Sequence, residues 1–220
     1  MNSNKKTIQT DIAARCYRQE RIAHWDRVAQ RMDNWHSLGG FYQKQLAHYY
    51  QFLAPPGLRV LEVGCGQGDL LAALRPSVGV GVDFSGEMLK RASKRYPSLH
   101  FAQADAHELP LDETFDVIIL SDLVNDLWDV QAVFERLATL AHPQTRLILN
   151  TYSRVWQVPL TLSQKLGLSK PNLDQNWLTV EDITNLLKLV DFEVIKHTQE
   201  ILFRKSMNQL QCHAELQFDC

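Results

Sequence analysis

The chain has 220 residues, enough for one substantial domain with at most a small appendage. It is 45% hydrophobic and 22% charged, as an ordinary globular protein is, and a formal net charge of −2 argues against an electrostatic nucleic-acid footprint. Cys16, Cys65, Cys212 and Cys220 form no CxxC pair and no His/Cys cluster, so reduced thiols, a cytoplasmic location and no metal site are expected.

In chain order, the opening MNSNKKTIQTD has no apolar core behind its lysines and does not read as a secretory signal. No apolar run nears the roughly 20 residues that cross a bilayer. Met1 to about Asp11 reads as frayed, and Ile12–Met32 as a polar helix rich in Arg and Gln. A second helix places Tyr42, Leu46, Tyr49 and Leu53 on one face and stops at Pro55, Pro56 and Gly57. Short apolar strands then alternate with helices. RVLEV, VGVGVDF, LHFAQAD, FDVIIL and RLILNTY read as strands. GDLLAAL, a helix capped by Ser85, and a stripe of Val130, Val133, Phe134, Leu137 and Leu140 read as the helices between them. Such alternation predicts an α/β, doubly wound, mostly parallel Rossmann-like sheet with helices on both faces. The rhythm breaks after Tyr152, where residues 153–178 read as an insertion. A helix opening with a capping box from Thr179 to Asp182 and a sixth strand, FEVIKHT, follow. AELQFDC is the one candidate for a further C-terminal strand, so that strand is expected to be short or missing.

Between RVLEV and its helix lie Gly64, Gly66 and Gly68, where backbone must turn or let a ligand approach. The dinucleotide fingerprint is G-x-G-x-x-G, whereas the spacing here is G-x-G-x-G followed by Asp69, a carboxylate where a pyrophosphate wants positive charge. Asp83 ends the second strand and is suited to accept a ribose diol, an acid that either ligand class uses.

LEVGCGQGDLL, GVDFSGEML, QADAHELPL, FDVIILSDLV and TRLILNTYS, in that order, resemble the motifs of the class I S-adenosylmethionine-dependent methyltransferases. The resemblance runs from about Leu58 to Tyr152 and implies S-adenosyl-L-methionine as cofactor. By it, Gly64, Cys65, Gly66 and Gly68 form the cofactor loop, with Cys65 a small residue within it. Glu62 is the acid organising the loop, and Asp83 with Phe84 holds the ribose and adenine face. Asp105 with Ala106 reads the adenine edge, and Ser121 stands with Asp122 where the fourth strand opens toward the sulfonium. His107 is expected in a solvated turn. Asp122, Asn125, Tyr152 and Trp156 are candidates to face the acceptor, and no catalytic base is named. Trp25, Trp35, His36 and the tyrosines before Pro55 are candidates to close over the cofactor, which makes 1–54 a helical segment serving as a lid and 55–220 the methyltransferase domain.

WQVPLTLSQKLGL and QNWLTVEDITNLLKLVDFEVI extend the similarity to bacterial methyltransferase domains associated with sugar-transferring enzymes. The implied reaction is in-line methyl transfer to O, N or C of a small molecule, or of a glycan or lipid-linked acceptor. A cofactor-binding partner subunit with reduced turnover is the alternative. A nucleic-acid methyltransferase is disfavoured, because SDLVND replaces the Pro-Pro-Tyr type signature after the fourth strand.

Overall fold

The computed structural model describes residues 2–31, 39–152, 173, 176–201 and 215–219. Two helices come first, α1 (Asn2–Arg31) and α2 (Gly39–Leu53). The alternating run consists of β1 (Arg59–Val63), α3 (Asp69–Ala73), β2 (Val78–Asp83), α4 (Gly86–Arg95), β3 (His100–Gln103), β4 (Phe115–Ser121), α5 (Val130–Ala138) and β5 (Ala141–Tyr152). It closes with α6 (Val180–Lys188), β6 (His197–Ile201) and β7 (Glu215–Asp219).

The strands form one sheet in the order β3-β2-β1-β4-β5-β7-β6. β1 pairs in parallel with β2 and β4, and the parallel ladder extends to β3 on one side and β5 on the other. β7 runs antiparallel to both β5 and β6, so the C-terminal antiparallel strand is present and short. The winding direction reverses between β1 and β4. In an open α/β sheet that reversal leaves a crevice at the carboxyl ends of the strands.

Successive side chains on a strand point to opposite faces, and the two faces carry separate cores. Leu61, Val63, Ile118, Leu120, Leu147 and Leu149 pack with α5 and α6 residues such as Phe134, Leu137 and Ile183. Val60, Val117, Ile119 and Ile148 pack against Leu46 and Tyr50 of α2 and Leu70 and Leu71 of α3. Three helix starts carry the caps their sequences encode. Ser85 accepts from the Met88 N–H, Asp129 from the Ala132 N–H, and Thr179 and Asp182 form a reciprocal capping box.

Three expectations shift. α1 begins at Asn2 rather than near Ile12, and no Pro or Gly interrupts residues 2–31. The deepest residues of α2 are Leu46 and Tyr50, with Tyr42, Tyr49 and Leu53 half-buried around them. The sixth strand begins at His197, not at Phe192: Asp191 turns with φ 63°, and Phe192 donates its N–H to the Leu187 carbonyl, closing the end of α6 instead of extending. Trp35, His36, Trp156, Cys212, Cys220 and most of the 153–178 insertion lie outside the described residues.

Candidate cofactor site

The loop after β1 is built from left-handed turns. Gly64, Gly66 and Gly68 have φ of 76°, 51° and 75°, a region that costs other L-residues about 1–2 kcal/mol. Gly64 and Cys65 donate their N–H groups to the Val82 carbonyl, stitching the loop to the end of β2. The glycines differ in their surroundings. A Cβ on Gly68 would lie 2.7 Å from the Phe101 ring, so that glycine serves packing, whereas a Cβ on Gly66 would meet nothing within 4 Å.

Gly68 is also the N-cap of α3 and has no side chain with which to cap it. Glu62 on β1 supplies the missing acceptor, its Oε2 taking the Leu71 N–H at 3.0 Å. Burial, with help from the Asp83 and Asp69 charges, pushes the Glu62 carboxyl well above the usual range, against the pull of the Leu71 N–H. Burial likewise raises the Cys65 thiol, which leaves it a protonated, unreactive wall residue.

Gly64, Asp83, Phe84, Asp105 and Ala106 line one cavity of about 260 Å³ at the carboxyl edge of the sheet. Glu62, Cys65, Gly66, Gly68 and Ser121 are not among its lining residues; they shape the loop and strands that form its wall. Asp83 Oδ2 accepts from the Gly66 N–H at 2.8 Å and Oδ1 from the Ser85 N–H at 2.8 Å. Each oxygen retains a lone pair for a second donor, which is what a ribose diol requires. Burial raises the Asp83 carboxyl to about 6, despite the backbone donors that favour its charge.

Asp105 is held on several sides. Its Oδ1 accepts the His107 N–H at 2.8 Å and pairs with His107 Nδ1, while Arg18 Nε lies 2.5 Å from Oδ2. His107 Nε2 accepts the Asp129 N–H at 3.1 Å, so a neutral ring carries its proton on Nδ1 and donates it to Asp105. Burial works to raise the Asp105 carboxyl, but the His107 hydrogen bonds, with the Arg18 charge beside them, prevail and lower it. His107 thus sits in the expected turn but is a half-buried member of the cavity wall rather than solvated.

The cover comes from α1. Ala14, Tyr17, Arg18 and Arg21 line the cavity at i, i+3, i+4 and i+7, one helical face. The Arg21 guanidinium lies over the Tyr17 ring at 3.4 Å, and that ring meets Trp128 edge-on at 5.1 Å. Asp26 anchors the same helix, accepting from Ser85 Oγ at 2.5 Å, and Val28 and Ala29 pack on Met88 of α4. Trp25, expected over the cofactor, packs in this anchoring cluster instead. Half the cavity-facing residues of α1 are charged, so hydrophobic periodicity does not flag this face; the i, i+3, i+4, i+7 spacing was its only signal.

A profile of the methyltransferase domain family matches residues 38–197. The chain belongs to the S-adenosylmethionine-dependent methyltransferases. It is 33% identical over 112 residues to a probable S-adenosylmethionine-dependent methyltransferase of Mycobacterium tuberculosis, a match covering 48% of this chain and 40% of that relative's length. It is 26% identical over 178 residues to an uncharacterized protein of Methanocaldococcus jannaschii, covering 80% and 84% of the two chains. The fold is shared with magnesium protoporphyrin IX methyltransferase from Synechocystis PCC 6803, solved with bound SAH, at a TM-score of 0.64 and 19% identity over 95% of this chain and 97% of that one.

The residues present fit the cofactor of this methyltransferase family. Asp83 has two acceptor oxygens that would suit a ribose diol, Asp105 has a carboxylate that would suit the adenine amino group, and Val63, Val82 and Leu127 form an apolar part of the wall. Asp83, Asp105, Glu108, Asp126 and Asp129 line the cavity together with Arg18 and Arg21, so carboxylates outnumber guanidiniums in the lining, a balance suited to a positively charged sulfonium. No helix of the described residues is long and apolar enough to cross a membrane.

Proposed function

We propose that this chain transfers a methyl group from S-adenosylmethionine to a small-molecule acceptor. The observation that carries the reading is the convergence, in one cavity at the β1/β4 switch point, of the Gly64 turn, the half-buried Asp83 carboxylate and the Asp105–Ala106 pair. When bound, the cofactor supplies a methyl group on a sulfur that leaves as a neutral thioether, so alignment and exclusion of water remain for the protein. Asp83 and the Gly66 N–H that orients it would hold the ribose. Asp105 and the Ala106 N–H would read adenine, and α1 would act as the lid of the 1–54 segment. The 153–178 insertion would border the acceptor: Asn176 exchanges hydrogen bonds with the Asn125 backbone and side chain, tying the insertion to the turn after β4.

A small acceptor accords with the net charge of −2 and the net acidic lining, which repel a polyanion. A glycan or lipid-linked acceptor is the narrower form of this reading and rests on the C-terminal similarity alone. Incubation with S-adenosylmethionine and pooled hydroxyl, amine, carboxylate and glycolipid acceptors tests it, with S-adenosylhomocysteine quantified by mass spectrometry. Acceptor-dependent release is expected from at least one pool. A chain that binds the cofactor yet releases none with any pool is a binding module rather than an enzyme.

A further inference from the structure

We propose that Asp122 is a catalytic carboxylate that meets the acceptor's nucleophilic atom and takes its proton, with Tyr42, Asn150 and Tyr50 as positioning residues. This rests on the methyltransferase reading above and adds to it an acceptor class: a hydroxyl or protonated amine that must lose a proton on methylation.

Asp122 is the first residue beyond β4, at the carboxyl edge of the sheet. Its neighbour Leu123 lines the cofactor cavity, close enough to Gly64 that a Cβ there would sit 3.0 Å from it. In-line displacement requires the nucleophile on the far side of the methyl carbon from sulfur, hence just beyond the cofactor cavity rather than within it. Asp122 itself does not line the cofactor cavity; it stands next to Leu123, which does, with its carboxylate against Tyr42 of α2.

Hydrogen bonds from two layers converge on its carboxylate. The Tyr42 hydroxyl of α2 lies 2.8 and 2.9 Å from the two Asp122 oxygens. The Asn150 amide of β5 donates to Oδ1, and Asn150 Oδ1 in turn accepts from the Tyr50 hydroxyl at 2.7 Å and from the Asp122 N–H at 3.3 Å. Tyr50 and Asn150 are both fully buried. Burying polar groups in a sheet–helix interface is costly unless every member is satisfied, and a Phe–Leu pair would fill the same space without that requirement. The array ends on one half-buried carboxylate, which it holds in a single orientation. Asp122 also adopts φ 55°, a left-handed conformation uncommon for a non-glycine residue and concentrated at functional positions.

In the proposed step, the acceptor's oxygen or nitrogen forms a bond to the methyl carbon as the carbon–sulfur bond breaks, its electron pair staying on sulfur. The proton on the acceptor passes to an Asp122 oxygen, as the new bond forms for a hydroxyl and beforehand for a protonated amine, whose nitrogen gains the attacking electron pair only then.

The test needs no acceptor. Sinefungin carries a protonated amine where the cofactor carries its methylated sulfur, while S-adenosylhomocysteine is uncharged there. Calorimetry on the full chain is expected to show that Asp122→Asn weakens sinefungin by about tenfold, with S-adenosylhomocysteine unchanged within about twofold. Asparagine tolerates the left-handed backbone, so retained S-adenosylhomocysteine binding doubles as the folding control. Tyr42→Phe is expected to lower the sinefungin preference severalfold, again sparing S-adenosylhomocysteine, a split that a purely structural tyrosine would not produce. Equal losses for both ligands in Asp122→Asn, or no loss for either, overturn the proposal. A folded wild type that binds neither ligand overturns the cofactor reading itself and this assignment with it.

Discussion

Asp83 carries the sharpest conflict between stability and the proposed function. Burial raises its carboxyl from 3.8 to about 6, so the folded chain holds that proton more tightly than the unfolded chain does. The sign follows from linkage: stability contributed by the protonated form is present below the unfolded value and is lost as pH rises through the folded one. Asp83→Asn is therefore expected to remove a fall of about 1–3 kcal/mol between pH 4 and 7, read as a flatter pH dependence of the urea midpoint. The same substitution is expected to weaken S-adenosylhomocysteine by more than tenfold, because an amide accepts from a diol far less well than a carboxylate. In the wild type, affinity is expected to rise with pH through a midpoint at about 6, as Asp83 ionises, and then to level off. Glu62 is the contrasting acid. Its carboxyl is raised and serves as the cap of α3, so Glu62→Gln should fold with near-native stability while Glu62→Ala loses about 1–2 kcal/mol in urea titration.

At the scale of elements, the glycine loop divides into positions with different obligations. Gly66→Ala should cost only the left-handed backbone penalty of about 1–2 kcal/mol, since open space surrounds its Cβ direction. Gly68→Ala must also displace Phe101 and should lower the thermal midpoint further, by differential scanning calorimetry. The β-α rhythm, the caps at Ser85 and Thr179 and the loop itself were legible in the sequence because they depend on residues a few positions apart. Other features depend on contacts between distant segments. Arg18 reaches Asp105 and Tyr42 reaches Asp122 across some eighty residues, and neither helix face carries a pattern that names its partner. The displaced start of β6 has the same origin, since its ladder is set by the five residues of β7. Its own FEVIKHT pattern does not fix where pairing begins.

For the whole molecule, the switch between β1 and β4 brings together at one edge the turn after β1, the acid ending β2, the pair after β3 and the exit of β4. The glycine motif alone left two cofactor classes open; the ordered motifs closed that choice, and the cavity gives it a place. α1 then covers the cavity from outside the sheet, anchored at Asp26 and tied at Arg18. A ligand bound there should stabilise the folded chain by about 2.7 kcal/mol at a hundredfold excess over its dissociation constant, visible as a concentration-dependent rise in thermal midpoint. The most direct measurement is a calorimetric titration of the folded chain with S-adenosylhomocysteine and, separately, NADH. Saturable one-site binding of S-adenosylhomocysteine, abolished by Asp83→Asn, with NADH silent, is the predicted result. A folded chain that ignores S-adenosylhomocysteine, or that binds NADH in its place, would contradict it.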